Sequence, residues 1–487
     1  MNNNSSFIKK FLTYGVGKVL YTLVTLLLVP VYLQKVDIND YGILSLFLIS
    51  VNVIFILTSF SISNVMIRGL NDEIFNGKNE TKLISTSLYF LFILSVLLLI
   101  LFKCAEDSLS LIIFNSIKYR KYIYILEIVA ATRIFTQLFN GYFLAKGYSK
   151  KYVFLNLVNV ISLAIINIYI IYYTKYSLHS IMLGYVYSGI LTVIVGILNV
   201  VSKIKFIFDF KTLKYLISYG LPLGIASLFS YFINYGNRYF VVHLQDAAAV
   251  SILDVGQKIA SLVGILLTNA FLTTFTPYYL KLFNEVSFEE FNKKINEIVK
   301  VFTFIFFAFS LSIVLFQDEV LNLLSKKDYL FSAQFVPFII LSNYLFVLFM
   351  ILTAGTNIKK KTQIEMYITV FLFAISIGLN FVGIKLYGLY GAVFVQIILN
   401  FIGIIIIMFY NSRYFKLKIE FGKIFYLVLL FFALIIVKYL FVRFSIFQNG
   451  LISGFLIPSL LLIFFLLVNY KYLFFLKDKI TSLIVKS

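Results

Sequence analysis

One cysteine, Cys104, and two histidines, His179 and His243, are all the soft ligands in 487 residues. A disulfide framework needs pairs and a soft-metal cluster needs several ligands, so neither can be built within the chain, and neither metal nor cofactor is expected. Cys104 reads as structural filler, and the histidines fall at predicted helix ends, where an interfacial, solvated imidazole is at home. Charge is also scarce: 13% of residues are charged against 61% hydrophobic. No stretch can then form a separate soluble core, and the solvent for most of the chain is a bilayer. Backbone polar groups in lipid must be satisfied internally, which leaves helices or a closed barrel. Barrel strands would alternate in hydropathy, whereas this chain has unbroken apolar runs of about 20 residues, the length of a spanning helix.

Fourteen such runs are present, at 11–34, 41–67, 83–102, 122–145, 152–173 and 178–201, then, after a basic linker, at 216–242, 250–272, 298–316, 335–354, 364–384, 389–410, 425–442 and 451–468. The fold class expected is all-α and polytopic. The amino end carries Lys9 and Lys10 before an apolar run, but that run is too long for a signal core and has no small-residue cleavage site, so a retained first helix is expected. No cysteine-based lipidation box is present. Between the eighth and ninth runs, Phe283, Val286, Phe288, Phe291, Ile295 and Ile298 stand among acids and lysines, the pattern of an amphipathic helix lying on the inner surface.

A net charge of +21 raises the question of nucleic acid, and the distribution of the charge answers it. Placing the amino terminus in the cytoplasm puts 27 of the 42 lysines and arginines on inner segments and 11 on outer ones. The remaining four, Lys18, Arg133, Arg238 and Lys258, fall inside runs, while Lys300 and Lys438, near the ends of theirs, are counted with the inner and outer segments beside them. This is the positive-inside pattern, with both termini cytoplasmic, and the basic excess would rest on anionic lipid rather than on nucleic acid.

The chain also repeats itself. Leu12-Thr13-Tyr14-Gly15 opens the first run and Ile217-Ser218-Tyr219-Gly220 the seventh, while Lys146-Gly147 and Asn167 align with Lys359-Lys360 and Asn380 at an offset of 213. Six-helix halves keep the same orientation in the membrane, so the repeat is parallel, and transporters built this way place substrate between the halves. The organisation expected is a six-helix lobe at 1–202, a basic cytoplasmic linker at 203–215, a second six-helix lobe at 216–412, and two further helices with a cytoplasmic tail at 413–487, the lobes surrounding a central cavity.

Ionisable residues inside a membrane cost about 2.5–3.5 kcal/mol each on insertion scales and are functional candidates by default. At 1.5 Å per residue, Arg133 lies about 16 Å from the outer end of its run and Lys258 about 12 Å down its own. Lys18 is about 10 Å from the inner end, within snorkelling reach, and Arg238 only about 6 Å from the outer end. Helical spacing gathers polar stripes around them: Lys18, Thr22 and Thr25; Ser45, Asn52, Ser59 and Ser63; Arg133, Gln137 and Asn140; Ser227, Ser230, Asn234, Asn237 and Arg238; Asp254, Gln257, Lys258 and Ser261. Lys18, Asn52, Arg133, Asn234, Asn237, Arg238, Gln257 and Lys258 are the candidates for binding substrate. Glu127 and Asp254 are the candidates for coupling to a cation or proton. Plainer roles compete with these: Asp254 and Lys258, at i and i+4, can neutralise each other, Arg133 can pair with Glu127, and the serines and asparagines can serve helix packing. A cavity with more cations than acids suits an anionic headgroup, since arginine grips phosphate oxygens bidentately.

The run Tyr14-Gly15, Val29-Pro30-Val31-Tyr32, Asp40-Tyr41-Gly42-Ile43-Leu44-Ser45 and Ile67-Arg68 resembles the opening of bacterial polysaccharide biosynthesis flippases, of the O-antigen repeat-unit type, in the multidrug/oligosaccharidyl-lipid/polysaccharide exporter superfamily. Tyr219-Gly220-Leu221-Pro222, Asn237-Arg238-Tyr239-Phe240, Lys258-Ile259-Ala260, Pro277 and Tyr387-Gly388-Leu389-Tyr390-Gly391-Ala392 continue the likeness over roughly the first 410 residues. The chain departs from the pattern at Asn237, where the family often has an acid, and at Ser251-Ile252-Leu253, where it often has Gly-Ile-Tyr. The resemblance implies a plasma-membrane exporter of polyprenyl-pyrophosphate-linked oligosaccharide units that works by rocking of two lobes. It also implies membrane lipids and glycan polymerase or ligase machinery as partners. Three rivals are a multidrug antiporter, which would want an acidic cavity, an exporter of another lipid-linked precursor, and a membrane glycan polymerase. The polymerase would need a water-exposed catalytic region, and the longest outer loop, 103–121, offers only Glu106 and Asp107 without a partner constellation.

Overall fold

The computed structural model describes residues 27–71, 79–174, 177–361, 363–415, 419–443 and 455–472, with scattered positions from 13 to 25 and position 417. Lys18, the Tyr14-Gly15 pair, and the two chain termini lie outside the described residues. Among those described, regular structure is helical throughout. The chain divides into two compact units, Met1–Ser251 and Ile252–Ser487. The first holds α1 (Leu23–Lys35), α2 (Ile38–Ser59), α3 (Ile62–Asn71), α4 (Asn79–Cys104), α5 (Glu106–Phe114), α6 (Ile123–Ala145), α7 (Ser149–Tyr173), α8 (Leu178–Val200), α9 (Phe210–Tyr235) and α10 (Asn237–Leu244). Helix α11 (Ala247–Val263) crosses the division. The second unit continues with α12 (Asn269–Glu285), α13 (Phe288–Leu324), α14 (Val336–Leu352), α15 (Ala354–Ile358), α16 (Gln363–Tyr414), α17 (Phe421–Arg443) and α18 (Ile457–Val468).

Eleven helical stretches among the described residues are long and apolar enough to cross a bilayer, and α1 and α18 are shorter apolar helices. The 52 residues of α16 would extend about 78 Å if straight, against a hydrocarbon core of about 30 Å, so this one stretch must hold two spans. It turns at Gly388, whose φ of 59° and ψ of −136° belong to a region open to glycine. Counting α16 twice and adding α1 and α18 accounts for the fourteen apolar runs of the sequence.

A second left-handed turn shapes the first unit. Phe60 and Ser61 have φ of 45° and 47°, which ends α2 and restarts the chain as α3; left-handed backbone at non-glycine residues costs about 1 kcal/mol or more each and is tolerated only where packing fixes it. Here the packing comes from α9: Gly220 lies so close to the Phe60 carbonyl that a side chain at that position would collide with it. Ser251 donates through its hydroxyl to the Ile38 carbonyl, a pair that stands at the repeat offset of 213.

The expected surface-lying helix around 283–300 is not a separate element. Phe283 belongs to the end of α12, the chain breaks at Val286, and Ser287 caps α13 by accepting from the Glu290 N–H. From Phe288 the helix runs unbroken for 37 residues, about 55 Å, so its amphipathic first turns are the overhang of a membrane span. Its apolar side is covered: Phe291 and Ile295 are fully buried, and Phe283, Phe288 and Phe291 surround Phe415. Further along, α13 carries the two last helices. Phe307 meets Phe431 of α17 and Phe304 stacks on Phe465 of α18. The buried Lys438 of α17 reaches Asp318 at 2.8 Å and the Leu315 carbonyl at 2.6 Å. Lys438, which the loop count sets with the outer charges, lies inside α17 and is neutralised there by Asp318.

In the first unit the helix ends are tied by charge. Glu80, at the start of α4, is buried. It accepts from the Tyr142 hydroxyl at 2.9 Å and meets Lys146 at 2.7 Å and Lys203 at 3.6 Å, joining the ends of α6 and α8. The stretch after Lys203 is strapped down as well, for the Lys205 N–H donates to Ser85 and the Asp209 N–H to Thr86. Asp209 then caps α9, and the Thr212 hydroxyl and N–H that donate to it hold its carboxyl below the usual carboxylate range. Removing one partner of a buried ion pair typically costs about 3–5 kcal/mol. Glu80→Gln is therefore expected to lower the thermal midpoint of the detergent-solubilised protein by several degrees, whereas Lys103→Gln, which removes an exposed pair with Glu106, should leave it in place. Equal midpoints for Glu80→Gln and the parent would show that this cluster does not hold the helix ends.

Candidate functional site

Four helices of the first unit bring polar side chains together inside an apolar bundle. Arg133 extends from the middle of α6 and donates through Nη1 to Oδ1 of Asn52 on α2, at 2.7 Å. The amide of Asn52 turns its other end to α9, where Nδ2 donates to the Tyr231 hydroxyl at 3.2 Å. Tyr231 stacks on Tyr235 with centroids 4.8 Å apart, and the Arg238 guanidinium lies 5.3 Å from the Tyr235 ring. Ser50, two residues before Asn52, and Tyr239 share a hydrogen bond of 2.7 Å. The order Arg133, Asn52, Tyr231, Tyr235, Arg238 is thus a continuous path of amide, rings and two cations across α6, α2, α9 and α10.

The local chain explains why these residues meet. Asn52 and Ser50 lie on the stretch of α2 that packs on α6 and α9. Helix α9 stops at Tyr235 and α10 begins at Asn237, so residues 231–239 bend around Gly236 at one end of α9. Arg238 is fully buried and closes that bend: Nη1 donates to the Asn234 carbonyl at 3.0 Å and to Asn237 Oδ1 at 2.7 Å. A cation over the carbonyl end of a helix is favoured by the helix dipole. Asn234 in turn donates to the Ser230 carbonyl. Arg238, Asn234 and Asn237 therefore shape the junction, and Arg133, half-buried and held on one side by an amide, is the cation whose position the site fixes.

The expected pairing of Arg133 with Glu127 does not form. Glu127 is fully buried and neither of its carboxylate oxygens meets a hydrogen-bond partner among the described residues. Six positions along a helix turn the two side chains about 120° apart, outside the spacing of three or four at which neighbours meet. In the second unit Asp254 and Lys258 do pair, with Nζ 3.1 Å from Oδ2, while the buried Oε1 of Gln257 finds no hydrogen-bond partner among the described residues.

One grouping escaped the sequence reading. Arg68, in the last turn of α3, lies over the Tyr219 ring of α9 at 4.5 Å from its centroid. With Asn64, Ile67, Asn71, Tyr219 and Leu223 it lines an open pocket of about 460 Å³. Arg68 was counted among the loop charges, although its place in the Ile67-Arg68 motif and that of Tyr219 in the Tyr219-Gly220 motif marked both.

The comparisons with known proteins agree with this architecture. A family described as polysaccharide biosynthesis protein matches residues 36–334. No curated protein sequence matches the chain. Among solved structures, lipid II flippase MurJ in an inward closed conformation superposes with a TM-score of 0.76 at 14% identity, covering 95% of this chain and 99% of that one. An inward-facing multidrug resistance MATE family transporter of the MOP superfamily gives 0.68 at 14% identity, with 82% and 96% covered. A MOP superfamily transporter from Pyrococcus furiosus, described by the reverse polarity of its binding pocket, gives 0.56 at 15%, with 83% and 94% covered. At these identities the likeness establishes a shared transporter fold. The solved neighbours are themselves described as a flippase and as transporters.

The site makes a direct structural prediction. Asn52→Leu leaves the Arg133 guanidinium without its acceptor, a loss of about 1.5–3 kcal/mol for a hydrogen bond to a charged group. Asn52→Asp keeps an acceptor there and adds the opposite charge. Thermal unfolding in detergent should rank the parent and Asn52→Asp well above Asn52→Leu; a leucine variant as stable as the parent would mean that Asn52 does not hold Arg133.

Proposed function

The chain belongs to the polysaccharide biosynthesis protein family, and on that premise we propose that it is a flippase. It carries a polyprenyl-pyrophosphate-linked oligosaccharide from the cytoplasmic to the outer leaflet of a bacterial plasma membrane by alternating access, and so supplies surface polysaccharide synthesis. The single observation that supports this reading most is Arg133, fixed by Asn52 and Tyr231 in the interior of an apolar bundle. A guanidinium so placed costs free energy on insertion, and what it offers in return is planar recognition of phosphate oxygens. The substrate headgroup would engage Arg133 and Asn52 first. Lys18, Asn234, Asn237, Arg238, Gln257 and Lys258 make up the rest of the proposed binding set, and Glu127 and Asp254 are the acids proposed to couple the cycle to a cation or proton. A multidrug antiporter would need acids where this cluster presents cations. The charge bias of the loops supports cytoplasmic termini.

Purified protein in proteoliposomes should accelerate the movement of a fluorescent polyprenyl-pyrophosphate oligosaccharide between leaflets. Arg133→Gln should slow that movement about tenfold or more, the equivalent of losing a charge-assisted contact of roughly 1.5–3 kcal/mol, without loss of folded protein. No acceleration by the parent protein would sink the assignment; an unslowed Arg133→Gln would return Arg133 to a packing role.

A further inference from the structure

We propose that the strap between α8 and α9, residues 204–209, is a docking surface for the membrane itself, one that seats Phe206 among lipid chains and presents Lys205 and Lys211 to the phosphates of anionic phospholipids. The inference goes beyond the flippase reading and does not depend on it, since it concerns the lipid around the protein rather than a cargo.

The strap is short, irregular and held in place by its backbone. The Lys205 N–H donates to the Ser85 hydroxyl at 2.9 Å and the Asp209 N–H to the Thr86 hydroxyl at 3.0 Å. Between these two ties the Ile207 N–H donates to the Lys205 carbonyl at 2.8 Å, which makes a three-residue turn with Phe206 at its tip. Ile204 packs inward on the core that holds Leu83 and Ile84. Phe206 does the reverse: 97% of it is exposed, and its ring meets only the edge of Tyr89 on α4, with centroids 5.5 Å apart. A phenylalanine on a loose loop can fold away from water, but one at the tip of a turn tied on both sides cannot, so its surroundings must accept it.

Depth shows what those surroundings are. Ser85 and Thr86 stand two and three residues inside the apolar run that begins at Leu83, about 3–5 Å along α4, so the strap crosses that helix at the edge of the hydrocarbon. Tyr89 is on the outward face of α4, three and four residues before Phe92 and Ile93, and that face stays exposed at Val96, Leu97 and Ile100. Phe206 therefore lengthens an apolar stripe that a spanning helix turns to lipid. Phe210, at the start of α9, is 76% exposed and lies edge-on to Phe208. Charge completes the match. Lys205 and Lys211 flank the rings and are exposed, while the acid of the strap, Asp209, is engaged in capping α9. Rings at the boundary of the chains, with cations beside them, fit a leaflet that carries anionic headgroups.

The chain contains no tryptophan, so Phe206→Trp places a single indole at the tip of the strap. The full-length variant is measured in phosphatidylcholine nanodiscs with a tryptophan-free scaffold, carrying a minor fraction of chain-brominated phosphatidylcholine or chain-brominated phosphatidylglycerol, and separately with iodide in the buffer. Brominated chains should quench the indole strongly, iodide should leave most of its emission, and brominated phosphatidylglycerol should quench more than brominated phosphatidylcholine at the same fraction. Adding Lys205→Gln and Lys211→Gln should bring the two lipids level while quenching by the chains persists. Should Phe206→Trp not fold, Phe210→Trp carries the indole at the neighbouring exposed ring and is read in the same way. An indole that iodide quenches and brominated chains do not overturns the proposal and leaves the strap as a surface for a soluble protein; equal quenching by the two lipids before the lysines are changed overturns it as well.

Discussion

A guanidinium taken out of water and into a bundle of apolar helices must find acceptors, and few residue types on neighbouring helices can supply them without adding a charge. The first unit meets this constraint with an amide. Asn52 presents its oxygen to Arg133 and its nitrogen to the Tyr231 hydroxyl, so one side chain both satisfies the cation and fixes the position of α9 relative to α2 and α6. Because the partner is neutral, Arg133 keeps its formal charge uncompensated by Asn52. Where the chain needs charge neutralised, it uses acids: Glu80 for Lys146 and Lys203, Asp254 for Lys258, Asp318 for Lys438. The amide at Arg133 stands in contrast to those ion pairs, since it orients the guanidinium and leaves its charge in place.

The backbone breaks serve the same arrangement. Phe60 and Ser61 turn the chain into α3 and leave a carbonyl against which Gly220 fits, and this contact sets the height of α9 on α2. From that height Tyr231 reaches Asn52 on one turn, and Tyr219 reaches Arg68 three turns earlier. A single close approach therefore positions both the inner cluster and the pocket at the lysine-rich end. In the second unit, Gly388 folds an apolar stretch too long for the membrane back into two spans, and α13 carries α17 and α18 through aromatic contacts and the buried Lys438.

Much of this was legible in the sequence, because run length and charge placement are set by the bilayer rather than by tertiary detail. The apolar runs and the break near Gly388 followed from run length, and periodicity singled out Asn52 and Arg133 on separate polar stripes, though not their meeting, for which Glu127 stood as the alternative partner of Arg133. Misreadings arose where a local pattern has two tertiary outcomes. The segment 283–300 has the face of an interfacial helix, yet that face is equally suited to covering Phe415, and only the structure shows that it runs on into α13. Lys438 and Arg68 lie near run ends, where a charge in a loop and a charge in a last helical turn look alike. Glu127 and Arg133 share a helix, and their side chains are separated by angle rather than by distance along it.

The central claim is that an interior cation selects a phosphate-bearing lipid, and it is tested most directly by comparing two substrates that differ only in that group. In proteoliposomes, a polyprenyl-pyrophosphate oligosaccharide and the same oligosaccharide on an uncharged polyprenyl ether should be followed across the bilayer side by side. The account predicts transport of the first and little or none of the second, with the difference abolished in Arg133→Gln. Equal rates for both substrates in the parent protein would contradict it.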